Sequence, residues 1–430
     1  MVLKQPLLAR LLAPRLPFFY GWVVLAALCL VGFARQGPAV AVVSIFVVPM
    51  TDTFGWSRME MAGAVSLGGV VAAFISPWLG PVLDRRGARL ILSCAVLGAG
   101  IATMALSLVQ SLLAFYLLLC FARMIWAGPF ELGLYGALNN WFVARRPLAT
   151  SIATLAQMSG LVVIPVVAEV AMQGSDWRRG WIFVGATVLA VGFLPAWLFL
   201  ARRPEDLGLL PDPPRGAGKA APEPHFSRAQ AMRTRAFWLL SLYTVLVYPV
   251  QAGVSLHQAA HLIERGIPSV LAATVISVFS LSSAVASFAI GFLPRHWPVR
   301  WAMAGAAVLM GAGSLGLIGV RSVEPAYLAA GTFGLGIGGI MTLLPLSWAD
   351  YFGRQSYGAI RSVALSLQVL AQAIGPVLSG ALRDWSGDYT DSLLLFSVLT
   401  ALAVLAALLA SRPVTQSTPG LGTANILSKE

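Results

Sequence analysis

Long apolar runs recur along the whole 430-residue chain and are separated by short, basic breaks. Each run reaches the ~20 residues that an α-helix needs to cross the ~30 Å hydrocarbon core of a bilayer. Charged residues make up only 11% of the chain, against about 25% in soluble proteins. The sequence therefore predicts an all-α polytopic membrane protein. Its twelve predicted transmembrane helices are 19–48, 60–80, 89–108, 112–138, 147–171, 179–201, 237–260, 270–293, 300–320, 325–348, 359–381 and 391–411.

The basic residues divide unequally between the two sides that these spans define. With spans alternating in direction, 21 of the 29 Lys and Arg residues fall on the side of the termini and six on the other. Cytoplasmic loops carry such an excess, so both termini are predicted to be cytoplasmic. We expect a multi-pass protein of the cell membrane, which is the inner membrane in a bacterium. The net charge of +12 then reflects this bias of the loops. The lipid bilayer is a predicted partner and nucleic acid is not.

A polar stretch rich in Pro, Gly, Ala and charge, residues 202–236, is typical of a flexible linker and divides the spans six and six. The remaining predicted units are a cytoplasmic N-terminal segment (1–18), an N-terminal six-helix bundle (19–201), a C-terminal six-helix bundle (237–411) and a cytoplasmic tail (412–430).

A weak internal repeat relates the two halves. GPVLDRRGAR after span two and GFLPRHWPVR after span eight lie 211 residues apart, as do Pro165 and Pro376. The halves are therefore predicted to be six-helix pseudo-repeats. Repeats of this kind place a substrate site at their interface, near the bilayer midplane.

The decapeptide GPVLDRRGAR resembles the signature between spans two and three of the major facilitator superfamily. FYGWVV and GFARQGP in span one, and WFVARRPLATSIA after span four, resemble the monocarboxylate transporter and oxalate–formate antiporter branch. The resemblance implies the major facilitator fold and alternating access. It implies a small organic anion as partner, a monocarboxylate, moved with protons or by anion exchange. We expect a monomer that is not an enzyme and needs no cofactor.

Within the signature, the residues that match are predicted to form a conformational latch, because the family uses this loop to hold one face closed through bonds between helices. The predicted latch residues are Gly80, Asp84, Arg85, Gly87 and Arg89. The second copy carries Arg295 where Asp84 aligns. The branch often has a basic residue in span eight or eleven, but here span eight is uncharged and span eleven has only Arg361, at its cytoplasmic start.

Two arginines lie inside apolar spans, Arg35 in span one and Arg123 near the middle of span four. An Arg at a helix centre costs about 2.5–3.5 kcal/mol on insertion scales, so such a residue indicates function. The resemblance implies that both spans line the central cavity, where two guanidinium groups would hold an anion by charge-assisted bonds. The alternative is structural: an arginine bonded to carbonyl groups or paired with an acid.

Glu131 is a candidate for proton coupling because a buried acid can carry a proton; the alternative is an ion pair with a cavity arginine. His257 and His261 share one helix face near the outer end of span seven. They are candidates for an outer gate or proton relay, or for ordinary packing, and no metal site is predicted. Further candidates for substrate binding, besides the arginines, are Tyr135, Gln157, Tyr248, Gln251 and His257.

Three other functions stay open. An efflux transporter of amphipathic drugs or metabolites would favour an aromatic cavity with few fixed positive charges, against which the two arginines argue. A transporter-like membrane sensor usually carries an appended signalling domain. A membrane enzyme would need a cluster of His, Asp or Glu at one depth, and the sequence shows none.

Overall fold

A computed structural model describes residues 6–173, 176–212, 224–294 and 297–413. Residue 295, the predicted counterpart of Asp84, lies outside this part, as do residues 213–223 of the predicted linker and most of the predicted tail. Every regular element in the described ranges is helical. The α-helices are α1 (Leu7–Leu12), α2 (Gly21–Ala34), α3 (Val40–Phe54), α4 (Arg58–Arg86), α5 (Ala88–Ala105), α6 (Leu112–Ala127), α7 (Pro129–Trp141), α8 (Arg146–Met172), α9 (Trp177–Phe199), α10 (Arg228–Met232), α11 (Arg235–Glu264), α12 (Ser269–Ile290), α13 (Val299–Ile318), α14 (Val323–Phe352), α15 (Tyr357–Ser386) and α16 (Thr390–Leu409).

Twelve membrane crossings account for these helices. Eleven helical segments of the described residues are long and apolar enough to cross a bilayer, and α6 and α7 together form one of them. The remaining crossing consists of α2 and α3, each too short to span alone. The predicted all-α fold with twelve spans is confirmed. The prediction of one continuous helix over 19–48 is wrong, because the chain leaves the helix at Arg35 and resumes it at Val40.

Local sequence explains where several of the helices begin and end. Ser57 caps α4 in a reciprocal pair with Glu60, whose carboxylate accepts the Ser57 backbone N–H at 2.8 Å. Such a cap contributes about 1 kcal/mol. Gly55 and Gly387, which follow α3 and α15, have φ of 70° and 91°, a conformation that a side chain disfavours. These turns keep the connections between spans short.

Helices α2 to α9 form one bundle and α11 to α16 the other. The bundles meet where α4 packs along α15 and where α8 packs against α12 and α14. Gly80 on α4 lies against the backbone carbonyl of Gly358 on α15. A Cβ at either position would collide with the backbone of the other helix. The outside of the bundles is apolar: Trp78 and Val377, for example, are exposed on α4 and α15. One buried hydrophobic cluster includes residues of both bundles, and a second lies in the N-terminal bundle.

Candidate substrate site

Two membrane helices are broken beside each other in the N-terminal half. Helix α2 ends before Arg35, and helix α6 ends before Gly128, where Pro129 opens α7 without a backbone N–H. Arg35 Nε donates to the carbonyl of Trp126 at 3.1 Å, and Arg123 Nη1 donates to the carbonyl of Pro38 at 3.1 Å. Each arginine therefore binds backbone at the other helix's break. Backbone freed from helical bonding is tolerated at membrane depth only with such partners.

The Trp126 indole lies against both guanidinium groups. Its ring centroid is 4.7 Å from Cζ of Arg35 and 4.4 Å from Cζ of Arg123. The ring is held in place because its Nε1 donates to Oε1 of Gln36 at 3.3 Å. A cation over an aromatic face gains about 2 kcal/mol when desolvated. Trp126 thus lets two like charges sit close together in a buried site.

Glu131 lies between arginines of both halves. Its Oε2 is 2.7 Å from Nη1 of Arg35, and its Oε1 is 3.7 Å from Nη2 of Arg361 on α15. Glu131 also occupies the first turn of α7, where the helix dipole favours a negative charge. One carboxylate therefore bridges the interface between the bundles, as the ion-pair alternative for Glu131 anticipated.

Arg361 is a site residue that the sequence did not assign. It lies one turn inside α15, and its side chain is buried, with 1% exposure. It reaches Glu131 and also donates to Oε1 of Gln368. A charge four residues inside the start of an apolar helix was the available signal, since a long side chain can extend well along the helix from that position.

A chain of polar side chains extends from Arg35 on the N-terminal side. Arg35 Nη1 donates to Oε1 of Gln157 at 2.7 Å, and Nε2 of Gln157 donates to the Tyr135 hydroxyl at 3.1 Å. That hydroxyl lies 3.3 Å from Oγ1 of Thr154. The structure therefore brings Arg35, Glu131, Tyr135 and Gln157 together, and their roles in binding stay predictions.

The C-terminal half contributes less to this cluster. Tyr248 is buried on α11. Gln251, one turn further along α11, accepts a bond from Nε2 of Gln372 at 3.1 Å. That contact ties α11 to α15 within one bundle. The roles of Tyr248 and Gln251 in substrate binding therefore stay predictions.

The balance of charge in the cluster is positive. Among the described residues of the cluster, three are buried arginines, Arg35, Arg123 and Arg361, and one is an acid, Glu131, which pairs with Arg35 and Arg361. Among the described residues, Nε of Arg123 and Nη1 of Arg361 are buried and have no hydrogen-bond partner. A buried donor without a partner costs about 1–3 kcal/mol, and more when it is charged. The cluster can therefore accept an anion with carboxylate geometry, which would satisfy both the excess charge and the unpartnered donors.

The two histidines lie elsewhere. His261 Nε2 is 2.8 Å from the carbonyl of Leu317, and both rings pack on Tyr389 within the C-terminal bundle. His257 is nine residues beyond Tyr248 on α11, about 13 Å along the helix. The structure does not bring His257 or His261 to the arginine cluster. In the described part of the chain, no three His, Cys, Asp or Glu residues could hold a metal ion.

The membrane face on which both described chain ends lie, here called the terminal face, is closed between the halves. Asp84 accepts the backbone N–H groups of Gly358 and Ala359, each at 2.8 Å, at the start of α15. Arg146 pairs with Asp350 at 3.3 Å across the same face. These contacts join the bundles directly, so the structure is of a state closed at the terminal face.

The other predicted latch residues have different surroundings. Gly80 allows the close approach to Gly358 described above, and Gly87 has φ of 84°. Arg89 donates from Nε to the carbonyl of Trp197 at 2.8 Å and stacks on that ring, within its own half. Arg85 is exposed. Gly80 and Asp84 therefore have contacts across the interface.

The chain is similar to known membrane proteins in sequence and in fold. The family model described as Major Facilitator Superfamily matches residues 24–376. The chain is 29% identical to human monocarboxylate transporter 11 over 87% of this chain and 80% of that protein. It is 26% identical to the membrane sensor protein UhpC of Escherichia coli (strain K12), over 73% of this chain and 75% of that protein. The solved proton:xylose symporter XylE has the same fold, with a TM-score of 0.69, 13% identity, and coverage of 90% of this chain and 94% of that chain.

Proposed function

Because this chain belongs to the major facilitator superfamily, we propose that it is a secondary active transporter of a small organic anion, a monocarboxylate, by alternating access. The observation that carries this proposal is the excess of buried guanidinium groups over carboxylates among the described residues of the central cluster. Support also comes from similarity to a protein named monocarboxylate transporter 11. A neutral or cationic substrate would leave the excess charge and the unpartnered donors uncompensated.

In this proposal the substrate carboxylate binds Arg361 and Arg35 in competition with Glu131. Glu131 accepts from Arg35 at 2.7 Å and lies 3.7 Å from Arg361, so it occupies donors that an incoming anion needs. A proton on Glu131 releases those donors, and the anion then compensates the arginines instead. Anion and proton therefore bind together, which gives symport; a second anion in place of the first gives exchange.

The proposed latch is the other part of this cycle. The contacts of Asp84 with α15 and of Arg146 with Asp350 close the terminal face. Alternating access requires these contacts to break while another set forms on the opposite face. Because Arg361 lies on the same helix whose first turn binds Asp84, occupancy of the site and closure of the face act on α15 together.

The experiment is uptake of radiolabelled lactate and pyruvate into proteoliposomes, with and without an inward proton gradient. Arg361→Ala removes one charge-assisted contact, about 1.5–3 kcal/mol, so the KM is expected to rise about 10- to 100-fold. Arg321→Ala, an exposed arginine on the other face, is the matched control and should leave KM unchanged. An Arg361→Ala protein with unaltered KM for every carboxylate transported contradicts the anion site.

Coupling is tested separately with Glu131→Gln. This variant should retain anion exchange but lose stimulation by a proton gradient, because the amide cannot release a proton. The control is Glu169→Gln, an exposed acid on α8, which should keep full stimulation. If Glu131→Gln is still driven by the gradient, proton coupling through Glu131 is wrong.

A transporter-like sensor is the second candidate, because the chain is similar to a protein named as a membrane sensor. A sensor binds its ligand without sustained flux. Thermal stabilisation of the purified chain by a carboxylate, with no uptake of that carboxylate in the presence or absence of the proton gradient, would favour the sensor and exclude the transporter.

A further inference from the structure

A groove at the terminal face of the C-terminal half lies apart from the central site. It is an open depression along one side of the start of α11, with a volume of about 360 Å³. Its lining residues are Arg233, Thr234, Arg235, Trp238, Leu239 and Leu242. The polar residues come first along the chain, and the apolar residues follow further along the membrane-spanning helix α11. The groove is therefore cationic at one end and apolar at the other.

The cationic end consists of Arg233 and Arg235. Both are exposed, and neither guanidinium group has a hydrogen bond or ion pair with any residue in the described ranges. The Thr234 hydroxyl between them already accepts the backbone N–H of Phe237 at 3.2 Å. The start of α11 adds the positive end of its helix dipole. This end of the groove therefore presents two positive charges that no described residue pairs with.

The apolar end consists of Trp238 and Leu242, one helical turn apart on the same face. They are 53% and 47% exposed, although both lie on a membrane-spanning helix. The Trp238 indole Nε1 donates to the carbonyl of Met232 at 2.8 Å, which fixes the ring at the level of the turn before α11. Tryptophan is enriched at the boundary between headgroups and acyl chains, so the groove lies where a lipid crosses from polar to apolar surroundings.

We propose that this groove binds an acidic phospholipid, with the phosphate between Arg233 and Arg235 and an acyl chain along Trp238 and Leu242. A zwitterionic lipid would neutralise the two arginines less well, since its own ammonium group opposes them. A soluble anion would use the arginines and leave the apolar strip uncovered. The order of charge and apolar surface along α11 matches the order of headgroup and chain in a lipid.

The test is native mass spectrometry of the purified full chain with phosphatidylglycerol or phosphatidylethanolamine of identical acyl chains. Each basic residue near an anionic headgroup contributes about a fivefold gain in affinity. Arg233→Ala and Arg235→Ala should therefore each weaken phosphatidylglycerol binding about fivefold, and the double variant about 30-fold. Binding of phosphatidylethanolamine should change little.

The matched control removes Arg10 and Arg15, two exposed arginines on the same face. An equal loss of phosphatidylglycerol in that control would mean diffuse attraction to a positive surface and would overturn the proposal. Displacement of the lipid by inorganic phosphate alone would assign the arginines to a soluble anion, with the same consequence. The double variant Arg233→Lys, Arg235→Lys should keep most of the binding, which separates loss of charge from loss of folding.

Discussion

Replacing Asp84 by Asn is the sharpest test of how the terminal face is held closed. The two carboxylate oxygens of Asp84 each accept one backbone N–H of α15, from Gly358 and Ala359, at 2.8 Å. An amide keeps one accepting oxygen and turns an NH₂ group toward the second N–H. The variant therefore loses one charge-assisted hydrogen bond, about 2 kcal/mol, and with it the favourable interaction between the acid and the helix N-terminus.

A loss of about 2 kcal/mol lowers the ratio of closed to open terminal face about 30-fold. The ratio is measured by double electron–electron resonance, which gives the distance between two spin labels. The labels are attached at Arg85→Cys and Gln355→Cys, one in each half. The three native cysteines, Cys29, Cys94 and Cys120, are first replaced. Asp84→Asn should add a population at longer label distance that is nearly absent from the parent.

Asp391→Asn is the control for this measurement, because Asp391 also lies in the first turn of a helix but is exposed and belongs to one bundle. It should leave the distance distribution unchanged. If Asp84→Asn shifts the ratio by less than about twofold, the two hydrogen bonds do not hold the face closed. Closure must then rest on other contacts between the halves, such as the Arg146–Asp350 pair and the packing of α4 on α15.

Two further predictions concern the centre and the interface. Trp126→Phe keeps an aromatic face against Arg35 and Arg123, so the KM for anion uptake should change less than about threefold. Trp126→Leu loses two cation–π contacts, so the KM should rise about tenfold or more. Gly358→Ala should destabilise the closed state in the same spin-label assay, because its Cβ would lie 2.6 Å from the carbonyl oxygen of Gly80; Gly305→Ala, where the added Cβ meets nothing within 4 Å, should not.

Much of the fold follows from the sequence because a bilayer leaves few alternatives. Spans must be helical and about 20 residues long, and the basic residues then give an even number of crossings. The break in the first crossing was not predicted, since residues 35–39 lie within one apolar run. Their departure from helical geometry depends on partners supplied by α6, with which Arg35 and Pro38 exchange hydrogen bonds.

The site was predictable where a charge lay far inside a span and not where it lay near an end. Arg35, Arg123 and Glu131 are conspicuous because apolar residues precede and follow each of them in the sequence. Arg361 sits only one turn inside α15, so its sequence position suggested an interfacial charge. For the histidines, the sequence predicts the helix face but not its neighbour. Their spacing correctly places His257 and His261 on one face. Tertiary packing decides that this face contacts Tyr389 and not the interface between the bundles.

The two halves have unequal shares in the central cluster, and this inequality bears on how transport would be driven. Both breaks, two of the three arginines and the acid belong to the N-terminal half, while α15 contributes Arg361. Binding of Glu131 to Arg361 is therefore a charge contact between bundles at the site itself. A proton or an anion that changes this contact changes the attraction between the halves directly. The energy for rearrangement then arises at the site and needs no separate relay through either bundle.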